Sequence, residues 1–340
     1  MNCIVELLRF LFCVIILVHH IGIVTLTDSP LPMGAIGVEL FYMLSGYFMF
    51  KHIKKDTKNG VQIDMKYSMN YTLQKFIRLS PYILGGSLLM LIVCLVCSHS
   101  VNVEWLFWEV TQLSMAAGSD LNIMVASANT PYWFLSSLFI MLPLVTYLVG
   151  KYSDVFEHYF MWFLPPVLLL YIAKHSVVST AWADYYFIYS ALMRAFADIL
   201  MGCSLYAIVE FLKSRESLLG KSTILVLLYV LATVGLLGVV LYNCYNLIVS
   251  TIFLTYIVLM LLALVLSNVF PSVKSGFLLF LGKIALPVFC FHWPILKLLR
   301  NMMDFPSIPR IVGIVAAIII VAGLAIYFDK LLQKKMNNKA

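Results

Sequence analysis

The sequence predicts an all-α, polytopic integral membrane protein with about ten transmembrane helices. Hydrophobic residues make up 62% of its 340 residues and charged residues only 11%, whereas soluble proteins carry about 25% charged residues. The apolar residues form runs close to the roughly 20 residues that a membrane-spanning helix requires. Most Lys and Arg residues fall in the segments between these runs, as is typical of membrane proteins.

Ten apolar runs mark the expected spans. They cover residues 4–23, 33–50, 79–98, 132–150, 159–173, 187–212, 222–242, 247–267, 276–298 and 309–329. A further stretch, residues 101–118 with Trp105 and Trp108, has the composition of an interfacial helix. Because no tandem repeat or low-complexity segment separates the runs, we expect a single membrane domain over residues 1–340.

The distribution of positive charge predicts the orientation in the membrane. Sixteen Lys and Arg residues fall in one set of alternating loops and the C-terminal tail, against four in the opposite set. The positive-inside rule then places both termini in the cytoplasm, with the protein in a plasma or inner membrane. The net charge of +7 reflects these loops, and no basic and aromatic patch indicates a nucleic-acid partner.

The first apolar run contains ionisable residues at membrane depth. A helix turns by about 100° per residue, so Glu6, Arg9 and His20 share one stripe, while His19 lies about 80° away from Arg9. Ionisable groups inside a membrane are costly and by default indicate a functional site. We therefore expect this stripe to face the protein interior, with about 16 Å along the axis between Arg9 and His20.

The second run carries Glu39 and, deeper in the span, Ser45. A buried carboxylate without a partner either takes up a proton or finds a cation, which makes Glu39 a candidate site residue. Ser45 precedes Gly46, and small residues are also common where membrane helices pack together. The sequence leaves both a functional and a packing role open for Ser45.

Lys75 and Arg78 precede the third run at its inner end. Their spacing places them on one face of a helix. Ordinary positive-inside anchoring is one explanation. The other is a cradle for the phosphates of a cytosolic donor, because an Arg side chain binds phosphate through two parallel hydrogen bonds.

Later runs hold polar and aromatic residues for which a structural role is an alternative. Trp133 follows Asn129 at the outer end of the fourth run, where aromatic residues form interfacial belts. Arg194 and Asp198 are four residues apart, which suits an ion pair on one helix face. His292 lies in the ninth run, where a lone histidine often forms a hydrogen bond between helices.

No metal site is expected. His19 and His20 are adjacent and point about 100° apart on a helix, which suits no shared metal ion. The seven cysteines lie mostly inside apolar runs and lack zinc-binding spacing.

These segments together resemble the membrane-bound acyltransferase 3 family. The resemblance is carried by Glu6-x-x-Arg9 with His20 eleven residues after the arginine, the run Gly37-Val38-Glu39-Leu40-Phe41-Tyr42-Met43-Leu44-Ser45-Gly46-Tyr47, Lys75-x-x-Arg78-x-x-Pro81-Tyr82, Trp133-Phe134-Leu135, and Arg194 upstream of Gly202. Two departures stand out. Glu39 occupies a position where the family usually has Asp, and Trp133 is not followed by the acidic residues that many members carry there.

The resemblance implies transfer of an acyl group, most often acetyl, from cytosolic acyl-CoA to a hydroxyl of a glycan, a lipid-linked sugar or another envelope molecule. His20 is then the candidate general base, because a neutral imidazole accepts the proton of an attacking hydroxyl. Glu39 is the carboxylate expected to orient His20. Acyl-CoA is a co-substrate, and no bound cofactor is expected.

The remaining candidates divide between donor binding and support of the site. The expected donor-binding residues are Arg9, Lys75, Arg78 and Ser45, and the expected supporting residues are Glu6, Arg194, His292 and Trp133. The acyl-pantetheine arm would reach from the inner cations to His20 through a two-ended conduit. A polytopic transporter or flippase for a lipid-linked glycan is the alternative, because such proteins also bury Arg, Glu and His residues.

Overall fold

The computed structural model describes most of the chain. The described residues are 2–25, 31, 34, 36–97, 103–116, 129–175, 184–185, 188–215, 231, 248–267, 273–300 and 308–337. Within them the protein is almost entirely helical.

The helices of the described residues are numbered here in chain order. They are α1 Cys3–Thr25, α2 Ile36–Lys58, α3 Met65–Val96, α4 Val103–Thr111, α5 Trp133–Lys151, α6 Met161–His175, α7 Ser190–Ser214, α8 Ile248–Leu266, α9 Gly276–Arg300 and α10 Ile308–Asn337. A 3-10 turn, Thr130–Tyr132, leads into α5, and a short turn, Ser153–Val155, followed by a π-helix, Phe156–Phe160, leads into α6. Two-residue strands, Asp184–Tyr185 and Ile188–Tyr189, pair antiparallel before α7.

Seven segments within the described residues are long and apolar enough to cross a membrane. They are Cys3–Val24, Met65–Val96, Thr130–Lys151, Ser153–Lys174, Ser190–Ser214, Gly276–Arg300 and Pro309–Tyr327. The all-α membrane fold is therefore confirmed, whereas the count of ten spans is not. Helices α2 and α8 occupy two further expected spans. The expected span 222–242 lies outside the described residues apart from residue 231.

The segment between the second and third expected spans is mostly helical, not a loop. Helix α2 continues to Lys58 and α3 begins at Met65, so Lys75 and Arg78 lie well inside α3. The side chain of Asp64 caps α3 by accepting a hydrogen bond from the Tyr67 backbone N–H at 2.7 Å. Hydropathy alone missed these turns because Lys and Arg favour helix as strongly as apolar residues do.

Helices α1 and α9 pack side by side in the same direction and in constant register. Three contacts join residues that are each 272 positions apart: Cys3 with Ser275, directly before α9, Cys13 with Ala285, and His20 with His292. Close approach depends on Gly282 of α9, where an added Cβ would lie 1.8 Å from the carboxylate of Glu6. The stripe of α1 that the helical spacing predicts to face inward therefore faces α9.

Helices α2 and α7 also run in the same direction and cross at two glycines. An added Cβ at Gly46 would lie 2.1 Å from the carbonyl oxygen of Ile199, and one at Gly202 would lie 2.2 Å from that of Met43. Small residues allow such close packing of membrane helices. This crossing brings the N-terminal turns of α2 against α7.

Candidate active site

Two histidines from α1 and α9 meet inside the bundle. His20 Nδ1 lies 2.9 Å from His292 Nε2, and the two rings stack with their centroids 5.0 Å apart. His292 is buried and His20 is half-buried. Among the described residues, no cluster of three or more His, Cys, Asp or Glu side chains could hold a metal ion. The 2.9 Å contact makes the two histidines a hydrogen-bonded pair.

The second nitrogen of His292 fixes the direction of this hydrogen bond. His292 Nδ1 lies 2.6 Å from the carbonyl oxygen of Phe289, and because a carbonyl only accepts, Nδ1 carries the hydrogen. In a neutral imidazole the other nitrogen then accepts, so His20 Nδ1 donates to His292 Nε2. Burial among membrane helices favours neutral rings. His20 Nε2 is left with an unshared electron pair.

A cationic cluster lies towards the other end of α1. Arg9 Nη1 is 2.9 Å from the carboxylate of Glu6, which is buried, while 32% of the Arg9 side chain remains exposed. On α3, Lys75 lies within electrostatic range of both Arg9 and Arg78, and the like charges repel one another. Lys75 is therefore near two other residues that the sequence assigns to donor binding.

Glu39 and Arg194 form a buried ion pair between α2 and α7. Arg194 donates from Nε to Glu39 Oε1 at 2.7 Å and also from Nη2 to the same oxygen. Both side chains are at most 1% exposed. The guanidinium carbon of Arg194 lies 5.6 Å from the centre of the Trp133 ring, which adds a cation–π contact. Three predicted site residues therefore form one cluster.

The position of Glu39 corrects the expectation that it orients His20. Helices α1 and α2 run antiparallel, with Gly37 packed beside Ile16. Glu39 therefore lies one to two turns from His20, roughly 9 Å along the axis of α1. Its carboxylate is held by Arg194, and the contact that orients His20 comes from α9.

Two further expectations can be compared with the structure. The expected pairing of Arg194 with Asp198 is not the main contact of Arg194, which reaches across to Glu39 on α2, while Asp198 stays within electrostatic range of the guanidinium. Ser45 is half-buried directly before the crossing glycine, Gly46. Helix packing is enough to explain a small residue there.

A comparison with known protein families identifies the family of the chain. The model of the acyltransferase 3 family, described as “Acyltransferase domain”, matches residues 4–330, nearly the whole chain. The chain belongs to the acyltransferase 3 family. It is a multi-pass membrane protein of that family. Searches among curated proteins and among solved structures find no match to the chain.

Sequence reasoning overlooked one residue beside the histidine pair of this acyltransferase 3 protein, Trp293. Its ring stands edge-on to that of His20, at 5.4 Å between centroids. Trp293 is 5% exposed, and its indole nitrogen has no hydrogen-bond partner among the described residues. A buried donor without an acceptor costs free energy, which calls for an explanation such as a ligand. The sequence offered one signal that Trp293 belongs to this site, which is its position directly after His292.

Proposed function

We propose that the protein is an O-acyltransferase that moves an acyl group, most simply acetyl, from acyl-CoA to a hydroxyl of a cell-envelope glycan. Membership of the acyltransferase 3 family supports acyl transfer. The observation that carries the proposal is the hydrogen-bond chain from His20 through His292 to the carbonyl of Phe289. That chain supports a neutral His20 whose Nε2 can accept a proton.

His20 acts as the general base in this proposal. A sugar hydroxyl attacks the thioester carbonyl carbon while His20 Nε2 removes its proton, a step in which general-base catalysis contributes about 10²–10⁴ in rate. The tetrahedral intermediate then expels the CoA thiolate, which takes the proton back from His20. The products are an O-acyl ester and free CoA, and His20 returns to its neutral form. His292 positions His20 throughout the reaction.

Trp293 supplies the hydrogen-bond donor that this reaction needs. Negative charge develops on the thioester oxygen as the hydroxyl attacks, and a fixed donor aimed at that oxygen stabilises the transition state. The indole N–H of Trp293 is buried, lacks an acceptor among the described residues and belongs to a ring in contact with His20. We therefore assign it to the developing oxyanion.

Arg9, Lys75 and Arg78 bind the phosphates of the donor. Their basic side chains come from α1 and α3, and Glu6 holds the Arg9 side chain in place. Guanidinium and ammonium groups are the usual protein partners of phosphate. About 16 Å of α1 separates Arg9 from His20, which the extended pantetheine arm crosses.

The proposal also includes the orientation of the protein in the membrane. The excess of Lys and Arg in one set of loops supports cytoplasmic termini in a plasma or inner membrane. The cationic cluster then lies towards the cytosol, where acyl-CoA is made, and the histidine pair lies towards the outer face. This arrangement suits an acceptor glycan outside the cytosol.

The test measures release of free CoA from acetyl-CoA by the purified full-length protein in detergent. The acceptor is an envelope glycan extract from cells that lack the gene. We expect acceptor-dependent appearance of CoA thiol, detected with a thiol reagent, and release slower by about 10²–10⁴ for the His20→Ala variant. A transporter or flippase would release no CoA under these conditions, and that result would overturn the proposal.

The acceptor itself is identified by comparing envelope glycans from cells with and without the gene. Mass spectrometry should reveal the loss of one acyl substituent, and its mass distinguishes acetyl from larger groups such as succinyl. Restoring the gene with the His20→Ala substitution should leave the glycan unmodified. Unchanged glycan acylation in cells without the gene would contradict a role in the envelope.

A further inference from the structure

A groove at the C-terminal end of α2 lies apart from the candidate active site. Its volume is about 480 Å³, and it opens between the last turns of α2 and Tyr206 of α7. The α2 side contributes Phe48, His52 and the lysines Lys51, Lys54, Lys55 and Lys58. None of the proposed donor-binding residues lines it.

Nearby acidic groups leave most of this positive charge uncompensated. Lys54 is paired with Glu157, and His52 lies 3.4 Å from Asp56. On α7, the carboxylate of Glu210 is paired with Lys213 at 3.2 Å.

The other three groove lysines line the groove without an acidic partner among the described residues. Among the described residues, no carboxylate lies within 4 Å of Lys51, Lys55 or Lys58. Their spacings of four and three residues place them on one face of α2, where like charges repel one another. The positive-inside rule accounts for lysines at this end of the bundle. It does not require three unpaired lysines around one concave surface.

The groove also has an apolar end. Phe48, 46% exposed, lies about 15 Å along α2 from Lys58, and the ring of Tyr206 forms the opposite wall. A ligand with an anionic head and an apolar portion would contact both ends. Lys ammonium groups near a membrane surface attract the phosphates of anionic lipids.

We propose that this groove is a phosphate-binding site, separate from the donor site. The phosphate group is carried either by an anionic phospholipid of the adjoining leaflet or by a soluble phosphate compound. Lys51, Lys55 and Lys58 bind the phosphate oxygens, while Phe48 packs against the apolar part of a lipid ligand.

The experiment compares the full-length protein with two triple variants of equal charge change. K51Q/K55Q/K58Q removes the groove lysines, and K66Q/K151Q/K274Q removes three exposed lysines elsewhere. Native mass spectrometry from detergent measures retention of phosphatidylglycerol against phosphatidylcholine. We expect preferential retention of phosphatidylglycerol by the wild type and the control variant, and a loss of about tenfold or more in the groove variant.

A second experiment, with a soluble phosphate compound, identifies the source of the phosphate. Binding of inorganic pyrophosphate is measured in nanodiscs of phosphatidylcholine by calorimetry. Pyrophosphate binding that disappears in the groove variant, without any lipid preference, assigns the groove to a soluble phosphate compound. K51R/K55R/K58R keeps the charge and should keep binding, which separates charge loss from misfolding. The proposal is overturned if the groove variant retains lipid and pyrophosphate like the wild type, or if the control variant loses them equally.

Discussion

His20 donates its Nδ1 hydrogen to His292 across a 2.9 Å contact between helices that start 273 residues apart in the chain. Because His292 is itself tied to the Phe289 carbonyl at 2.6 Å, the ring of His20 is held in one orientation and one tautomer. If His20 is the general base that we propose, this fixed geometry removes the need for adjustment when an acceptor hydroxyl arrives.

Replacing His292 should slow transfer without weakening donor binding. His292→Leu removes the acceptor for His20 Nδ1, and we expect kcat to fall by about tenfold or more, because the base loses its fixed tautomer. His292→Gln places an amide oxygen near the former Nε2 position and should restore part of the rate. Steady-state kinetics with acetyl-CoA, together with donor binding by calorimetry, distinguishes the two variants. Equal rates for Leu and Gln would argue against a positioning role.

The buried pair of Glu39 and Arg194 should be structural. Glu39→Leu alone removes the carboxylate that is hydrogen-bonded to the buried Arg194 guanidinium, leaves only the nearby carboxyl of Asp198, and should lower the stability by about 3–5 kcal/mol. The double variant E39L/R194M removes both charges and should recover most of that loss. Thermal unfolding in detergent measures stability, and CoA release measures function. A double variant that is stable but transfers no acyl group would indicate that Glu39 takes part in catalysis.

The crossing of α2 and α7 should not tolerate a methyl group. Gly202→Ala places a Cβ 2.2 Å from the Met43 carbonyl oxygen, and we expect it to cost about 1–3 kcal/mol because the backbones must separate. Gly313→Ala is the matched control, since nothing lies within 4 Å of its added Cβ. Removing a glycine from a helix interior should leave the control equally or more stable. Similar unfolding midpoints for both variants would contradict the crossing.

The free energy of unfolding should vary with pH because of Glu109, which lies on α4, a helix outside the candidate spans. Burial raises the pKa of Glu109 from 4.5 to about 7, although hydrogen bonds from the Asn129 backbone and the Ser87 hydroxyl oppose the rise. The folded state therefore holds this proton more tightly than the unfolded state. Its stabilising contribution is complete below about pH 4.5 and is lost as the pH rises through about 7.

Glu109→Gln tests this dependence, because glutamine stays neutral at every pH. The stability difference between wild type and variant should change by about 3 kcal/mol between pH 4.5 and pH 8, since one pKa unit corresponds to about 1.4 kcal/mol. Unfolding midpoints across this range measure the difference, and the comparison cancels the titration of other groups. A constant difference would show that folding leaves the pKa of Glu109 unchanged.

The sequence predicted those features that depend on local spacing. The inward stripe with Glu6, Arg9 and His20 follows from the 3.6-residue period of one helix. The all-α membrane class could be predicted for a similar reason, because the length and hydropathy of each apolar run are visible within that run alone.

The sequence could not predict contacts between helices that are far apart in the chain. The partner of His20 lies 272 residues away and that of Glu39 lies 155 residues away. Both depend on which helices become neighbours and in which register. Glu39 looked like the natural partner for His20 because charge alone favours it, but the antiparallel packing of α1 and α2 places it at a different level.

His20 is central to the proposed chemistry, and a single-turnover experiment with His20→Ala tests its role. Acyl-CoA is bound first, its affinity is measured, and acceptor glycan is then added. We predict donor binding equal to that of the wild type and a transfer rate lower by about 10²–10⁴. Transfer at the wild-type rate by His20→Ala would contradict the assignment of this imidazole as the base.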